Sequence, residues 1–255
     1  MGGKISGKSR RKAQVTIFII MAILIVIAVI ALFFFLGGKY QQSSSENPKA
    51  YIEKCARDAV SASAEKILSG GGKIQPEFFL LYKDEKYNYL CYQKNYYFPC
   101  INQYPNIKNG IENEIKKDTE QAIKECFEEL KNDYERKGFE VEDGDLDYEI
   151  ELMSNKIFIK INKKLSISKE SSQSFEDFGT SILSPVYNLA MIARNIVNQE
   201  SEFCNFEYNG YMILHPEYRI KRIDYIDSKI YRLMDIKSGK IFKFAVRSCA
   251  QPGGI

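Results

Sequence analysis

Residues 145–167, DLDYEIELMSNKIFIKINKKLSI, decide the fold class. Leu146, Tyr148, Ile150 and Leu152 alternate with Asp145, Asp147, Glu149 and Glu151. After Ser154 and Asn155, Ile157, Ile159, Ile161, Leu165 and Ile167 are interleaved with lysines and, Phe158 apart, other polar residues. A period of two is what a strand needs when one face lies on a core and the other in water. With Ser154-Asn155 as a two-residue turn, Leu152 faces Ile157, Ile150 faces Ile159 and Tyr148 faces Ile161. The same register sets Glu149 opposite Lys160 and Asp145 opposite Lys164. Apolar and charged faces select one register, which predicts an antiparallel hairpin. The facing lysines make the acidic row a solvated sheet face rather than a calcium site.

On both sides of the hairpin the period changes to that of a helix. Upstream, Ile107, Ile111, Ile115, Ala122, Cys126, Leu130 and Tyr134 recur every three or four residues. This predicts a helix from Asn106 to Lys137, stopped by Gly138. An earlier helix is expected from Pro48 to Leu68, with Ser45 or Asn47 as cap, and Ser69-Gly70-Gly71-Gly72 ends it. Downstream, Phe175, Phe178, Ile182, Val186, Leu189, Ala193, Ile196 and Val197 predict a helical stretch over 174–199. There Pro185 either starts a fresh helix or kinks one. Three short strands are expected near Tyr218–Tyr225, Lys229–Asp235 and Lys240–Arg247, with Phe242, Phe244 and Val246 facing inward. The class is therefore α+β, with about three helices and antiparallel sheet.

Residues 78–101 are dense in Tyr and Phe. Asp84-Glu85-Lys86 divides them into two extended pieces, and a turn near Lys94-Asn95 would let Cys91 meet Cys100. The rings read better as a small core stapled by a bridge than as a sugar-stacking surface. The six cysteines are Cys55, Cys91, Cys100, Cys126, Cys204 and Cys249. An even count suggests disulfides in an oxidising compartment, and no close Cys pair has zinc-ligand spacing. Cys55 and Cys126 both fall on apolar faces of helices, so their pairing is the most natural long-range bridge. Cys204 and Cys249 bracket the last strands and would tie the chain end to the preceding helix.

The N-terminal region has a different character. Val15–Leu36, VTIFIIMAILIVIAVIALFFFL, contains no charge and no proline across twenty-two positions. As a helix it would reach roughly 33 Å, enough to cross a hydrocarbon core about 30 Å thick. Lys4, Lys8, Arg10, Arg11 and Lys12 precede it, which places the short tail in the cytoplasm and the rest outside. The run is longer than a secretory h-region and no Ala-x-Ala follows, so an uncut signal anchor is expected. The expected organisation is a basic tail (1–14), a membrane span (15–36), a polar stalk (37–48), an extracytoplasmic domain (49–250) and a loose tail (251–255).

Charge excludes one class of partner. The chain has 36 basic and 33 acidic residues. Without the five tail cations, 31 face 33, a remainder of −2. A basic nucleic-acid surface is therefore not expected. The expected partners are the lipid bilayer through residues 15–36 and an envelope protein or glycan, with self-assembly a further option. No cofactor and no metal site are expected. His215 is the only histidine, and no nucleophile-elbow, zincin, Walker or Rossmann pattern occurs. A hydrolase using His215 or carboxylates such as Asp143 and Asp145 is the minor alternative.

Arg10-Arg11-Lys12-Ala13, followed by Gln14-Val15-Thr16, resembles the class III signal peptides of archaeal pilins. That resemblance implies cleavage between Ala13 and Gln14, with the apolar helix kept in the mature chain; Phe18 stands where many such pilins have Glu. More broadly, KAQVTIFII, YIEKCARDAV with SGGG, IKECFEEL and IKSGKIFKFAVRS resemble an uncharacterised group of archaeal membrane-anchored proteins with a Cys-containing ectodomain. The resemblance implies the order of elements and no activity.

Overall fold

The computed structural model describes residues 21–27 and 47–252, and the chain divides into two units, Met1–Ser44 and Ser45–Ile255. In the first unit, residues 21–27 are helical and exposed on every side. The remainder of the apolar run, the basic tail, Ala13 and Gln14 lie outside the described residues. No helix among the described residues is long and apolar enough to cross a membrane.

The second unit is a mixed α+β domain. Helix α1 (Pro48–Ser69) begins where Asn47 Oδ1 accepts the backbone N–H of Ala50, with Pro48 in the first turn. It ends at Gly70, and Gly71 and Gly72 follow at positive φ. The cap is thus Asn47, one of the two expected. Strands β1 (Phe79–Tyr82) and β2 (Glu85–Tyr92) form a hairpin over Lys83-Asp84, both at positive φ. A two-residue strand β3 (Ile101–Asn102) adds to β2, and α2 (Ile107–Arg136) follows.

Strands β4 (Glu140–Asp143), β5 (Asp147–Met153), β6 (Lys156–Ser168) and β7 (Ser172–Leu183) make a four-stranded antiparallel sheet centred on β6. The pairs Leu152–Ile157, Ile150–Ile159, Tyr148–Ile161 and Glu149–Lys160 stand in the expected register, with Asn155 at φ 60° in the turn. Asp145 and Lys164 do not face each other in that ladder. Instead Gly144 donates its N–H to the Lys164 carbonyl at 2.9 Å, and β4 takes over the pairing.

The expectation of helix over 174–184 is overturned: these residues belong to β7, and the helix, α3 (Val186–Phe203), begins only after Pro185. Phe175 and Phe178 are three apart, which imitates a helical face. The ladder explains the spacing. Phe178 pairs with the buried Ile161 and Phe175 with the buried Leu165, and the register shifts between them. Lys163 and Lys164 thus oppose Glu176 alone, a bulge that brings both rings to the core. A short helix α4 (Tyr208–Leu214), absent from the expectation, precedes β8 (Tyr218–Tyr225), β9 (Ser228–Asp235) and β10 (Ile241–Arg247).

The last three strands join the first hairpin in one sheet, ordered β1-β2-β10-β9-β8, with β3 beside β2. All its pairings are antiparallel except β2 with β10. Phe242, Phe244 and Val246 point to the main core, as expected, with Tyr231, Leu233 and Ile220. That core also takes the inward faces of α1, α2 and α3 and of the β6 sheet. The opposite face of the β10 sheet carries a second, smaller cluster of Tyr87, Tyr89, Ile230 and Ala245.

Candidate binding surface

All six cysteines are paired in the structure. Cys55–Cys126 joins α1 to α2 with Cα atoms 6.2 Å apart, Cys91–Cys100 closes the loop after β2 at 5.4 Å, and Cys204–Cys249 ties the C-terminal segment to the end of α3 at 5.6 Å. Each separation suits a disulfide. Salt bridges support the first joint, since Lys66 pairs with Asp118 and Lys73 with Glu114 on the neighbouring helix.

The third bridge stands over a buried polar cluster that the sequence reading did not single out. Glu200, on α3, is fully buried. Its carboxylate accepts from Lys229 Nζ at 3.0 and 2.7 Å and from the Tyr231 hydroxyl at 2.5 Å. Lys229 also donates to the Cys204 carbonyl, and Ser248 Oγ donates to the Glu200 carbonyl at 2.7 Å. Burial, then the Glu200 charge, pushes the Tyr231 hydroxyl well above its ordinary range. The cluster is internally satisfied, as a buried charge must be. Its signal in the sequence is weak, because a lone Glu near a helix end carries no periodic mark.

The residues considered for hydrolysis lie elsewhere. His215 follows α4 with its ring 4.4 Å from that of Tyr211 and Nδ1 3.7 Å from Glu217 Oε1. Asp143 is held by Lys163 at 2.8 Å and Lys131 at 3.0 Å; these contacts, that of Lys163 first, keep its carboxyl below the usual carboxylate range. The structure brings neither residue into the Glu200 cluster.

Around the Cys204–Cys249 bridge the surface turns apolar. Tyr97 donates its N–H to the Ala250 carbonyl at 2.9 Å and the Phe98 carbonyl accepts from Cys249 N–H at 2.8 Å, so the loop before Cys100 lies against the chain end. Tyr97, Phe98 and, beside Cys204, Phe203 are each more than half exposed. Arg247 fixes the loop from below. It donates to Asp227 at 2.7 Å and to the carbonyls of Gln93 and Lys94, while its guanidinium lies 5.0 Å from the centre of the Tyr96 ring. The exposed rings, held by a disulfide and a buried arginine, form a preorganised apolar patch. The aromatic run thus divides: Tyr87 and Tyr89 make a small core, and Tyr97 and Phe98 face outward.

Comparison with protein-family models, with curated proteins and with solved structures finds no match for this chain.

Proposed function

We propose that the chain is a single-pass membrane-anchored protein whose disulfide-stapled domain binds or assembles with a partner at the outer face of the cell membrane. The observation that carries this reading is the complete pairing of six cysteines in a domain that follows a charge-free run of twenty-two residues. Thiols in a reducing cytoplasm rarely persist as three bridges, whereas extracytoplasmic domains use them as staples. Five cations before the run favour a cytoplasmic N-terminus. The resemblance to archaeal membrane-anchored proteins supports the same topology. The exposed rings around Cys204–Cys249 supply a contact surface of the kind such a role needs.

A second reading is favoured by Arg10-Arg11-Lys12-Ala13-Gln14: a pilin-like subunit cleaved after Ala13, with the apolar helix forming a filament core. One experiment separates the two. The mature N-terminus and the location of the protein are determined after isolation from its own envelope. An intact tail with all signal in the membrane fraction supports the anchored protein. A chain starting at Gln14 in sheared filaments supports the subunit. Recovery in the cytoplasm with free thiols would overturn both.

A further inference from the structure

The three bridges differ in their surroundings. Cys91, Cys100 and Cys126 are core residues, and Cys55 packs against the same core. Cys204 and Cys249 stand outside it, and both are part-exposed. These two also have left-handed backbones, at φ 57° and 43°, a region that disfavours any residue with a Cβ. Much around their bond is held without it. Ser248 Oγ donates to the Glu200 carbonyl at 2.7 Å and accepts the Cys100 N–H at 3.1 Å. The Phe98 carbonyl accepts from Cys249 N–H at 2.8 Å, and Tyr97 N–H donates to the Ala250 carbonyl at 2.9 Å. The chain end therefore stays on the aromatic loop and on Glu200 if the sulfurs part. Beyond Glu200 the last turn of α3 carries Phe203, and the covalent tie of that turn to the chain end is this bond.

We infer that Cys204–Cys249 is a reversible redox switch, opened by a dithiol while the other two bridges stay closed. Its state sets whether the last turn of α3, with Phe203, is held in one patch with Tyr97 and Phe98. What a bridge adds to stability follows the loop it closes, whereas the rate at which a thiolate opens it follows access to the sulfurs. Access singles out this bridge, because core packing shields Cys91, Cys100 and Cys126 from attack. Opening also lets two backbones leave the left-handed region, a release the other bridges do not offer. In the exchange, one thiolate of the dithiol bonds to one of the two sulfurs, the Cys204–Cys249 bond breaks, and the other sulfur leaves as a thiolate. The dithiol's second thiolate then attacks the mixed bond at its own sulfur and frees the remaining cysteine. The protein gains two electrons, its two thiolates take protons from water, and the dithiol ends as a cyclic disulfide.

The test exposes the full chain in detergent micelles, without denaturant, to dithiothreitol for graded times, followed by alkylation and peptide mapping. Cys204 and Cys249 are expected to be alkylated about tenfold faster, or more, than the other four cysteines. Hydrogen exchange of the protein reduced at this bridge alone reads the consequence. Amides 201–204 are expected to exchange about tenfold faster or more, while those of α1 and α2 do not change. Reoxidation should restore slow exchange, and a Cys204→Ser/Cys249→Ser variant should show the fast exchange without reductant. Another bridge opening first, or all three opening at one rate, would overturn the proposal. So would opening that leaves exchange at 201–204 unchanged. Exchange that quickens across α1 and α2 as well would overturn it too, since the bond would then be a staple of the whole domain.

Discussion

The rings of Tyr82 and Tyr225 meet edge to face at 4.9 Å, although they stand on β1 and β8, the two ends of the sheet order. Four strand spacings, about 19 Å on a flat sheet, separate those strands. The sheet is therefore curled strongly toward the face that carries Tyr87, Tyr89, Ile230 and Ala245, and the two tyrosines close it. That is why these four residues are buried although no helix covers them. Truncating Tyr82 or Tyr225 to Ala is expected to lower stability by about 1–2 kcal/mol each. The coupling between them should be about 0.5–1.5 kcal/mol in a double-mutant cycle. Urea denaturation of the four variants measures it, and strict additivity would show that the contact closes nothing.

The three bridges should differ in worth by the chain they close. Their sequence separations are 71, 9 and 45 residues. The chain-entropy relation then gives roughly 4.4, 2.6 and 4.0 kcal/mol respectively. Double Cys→Ser variants are expected to rank in that order in denaturation midpoint, with Cys55–Cys126 costing most. A Cys91–Cys100 variant less stable than the Cys55–Cys126 one would show that native packing outweighs loop length here.

What the sequence made legible follows from where each signal is stored. The β5–β6 hairpin was readable because its alternation, turn and charge pairing are all local. The three bridges followed from helix faces and from neighbouring turns. The parallel pairing of β2 with β10 was not readable, since Tyr89 and Ala245 are joined by topology alone. The same holds for the exposed aromatic patch, where residues 97–98 and Phe203 are linked only through the Cys204–Cys249 bridge. Strand β7 was misread because a bulge on its partner gave its rings a helical spacing.

Gly110 lies inside α2 beneath the Tyr104 ring, which a Cβ at that position would strike. Tyr104 is itself fixed, donating its hydroxyl to the Gly72 carbonyl at 3.3 Å beneath the Lys73 ammonium, 4.8 Å from the ring centre. Glycine to alanine within a helix ordinarily gains about 1 kcal/mol. Here Gly110→Ala is expected to cost about 1–3 kcal/mol through displacement of the ring. In a Tyr104→Ala background the same substitution should become stabilising, a reversal that thermal denaturation of the four proteins would reveal. Destabilisation in both backgrounds would rule out the ring as the cause.

The acid and alkaline limits of stability have separate sources. Asp143 has its carboxyl lowered by Lys163 first and by Lys131. A folded value below the unfolded one, about 3.9, stabilises fully above that pH. The contribution is lost as pH falls through the folded value. Asp143→Asn is thus expected to lose stability at pH 7 and to flatten the midpoint curve below about pH 4. At the other limit Tyr87 is pushed up to about 12 by burial and then by Glu85, and Tyr51 to about 12 by burial and then by Glu129. For these the sign reverses, and stability present below the unfolded value near 10 is lost as pH rises toward 12. Spectrophotometric titration of the folded protein should show a fraction of the tyrosines, Tyr51 and Tyr87 among them, ionising only near 12. A single transition near 10 in the folded protein would contradict this.

The buried Glu200 and the part-buried Lys229 form an ion pair beside the Cys204–Cys249 bridge, where Lys229 also donates to the Cys204 carbonyl. Its energetics are asymmetric, because removing one partner strands the other. Glu200→Ala leaves the Lys229 ammonium and the Tyr231 hydroxyl without their acceptor, and is expected to cost about 3–5 kcal/mol. Glu200→Gln keeps an oxygen for Tyr231 and should cost less. Replacing the pair together, as Glu200→Leu/Lys229→Met, should recover most of the loss, since a packed apolar pair of similar size needs no desolvation. The readout is the urea midpoint together with near-ultraviolet circular dichroism, which follows Tyr231 and the rings around Cys204–Cys249. Recovered stability with an altered aromatic signal would assign the pair to positioning the patch. Recovery of both would make it an interchangeable filler of the core, and recovery of neither would show that the charges themselves are required.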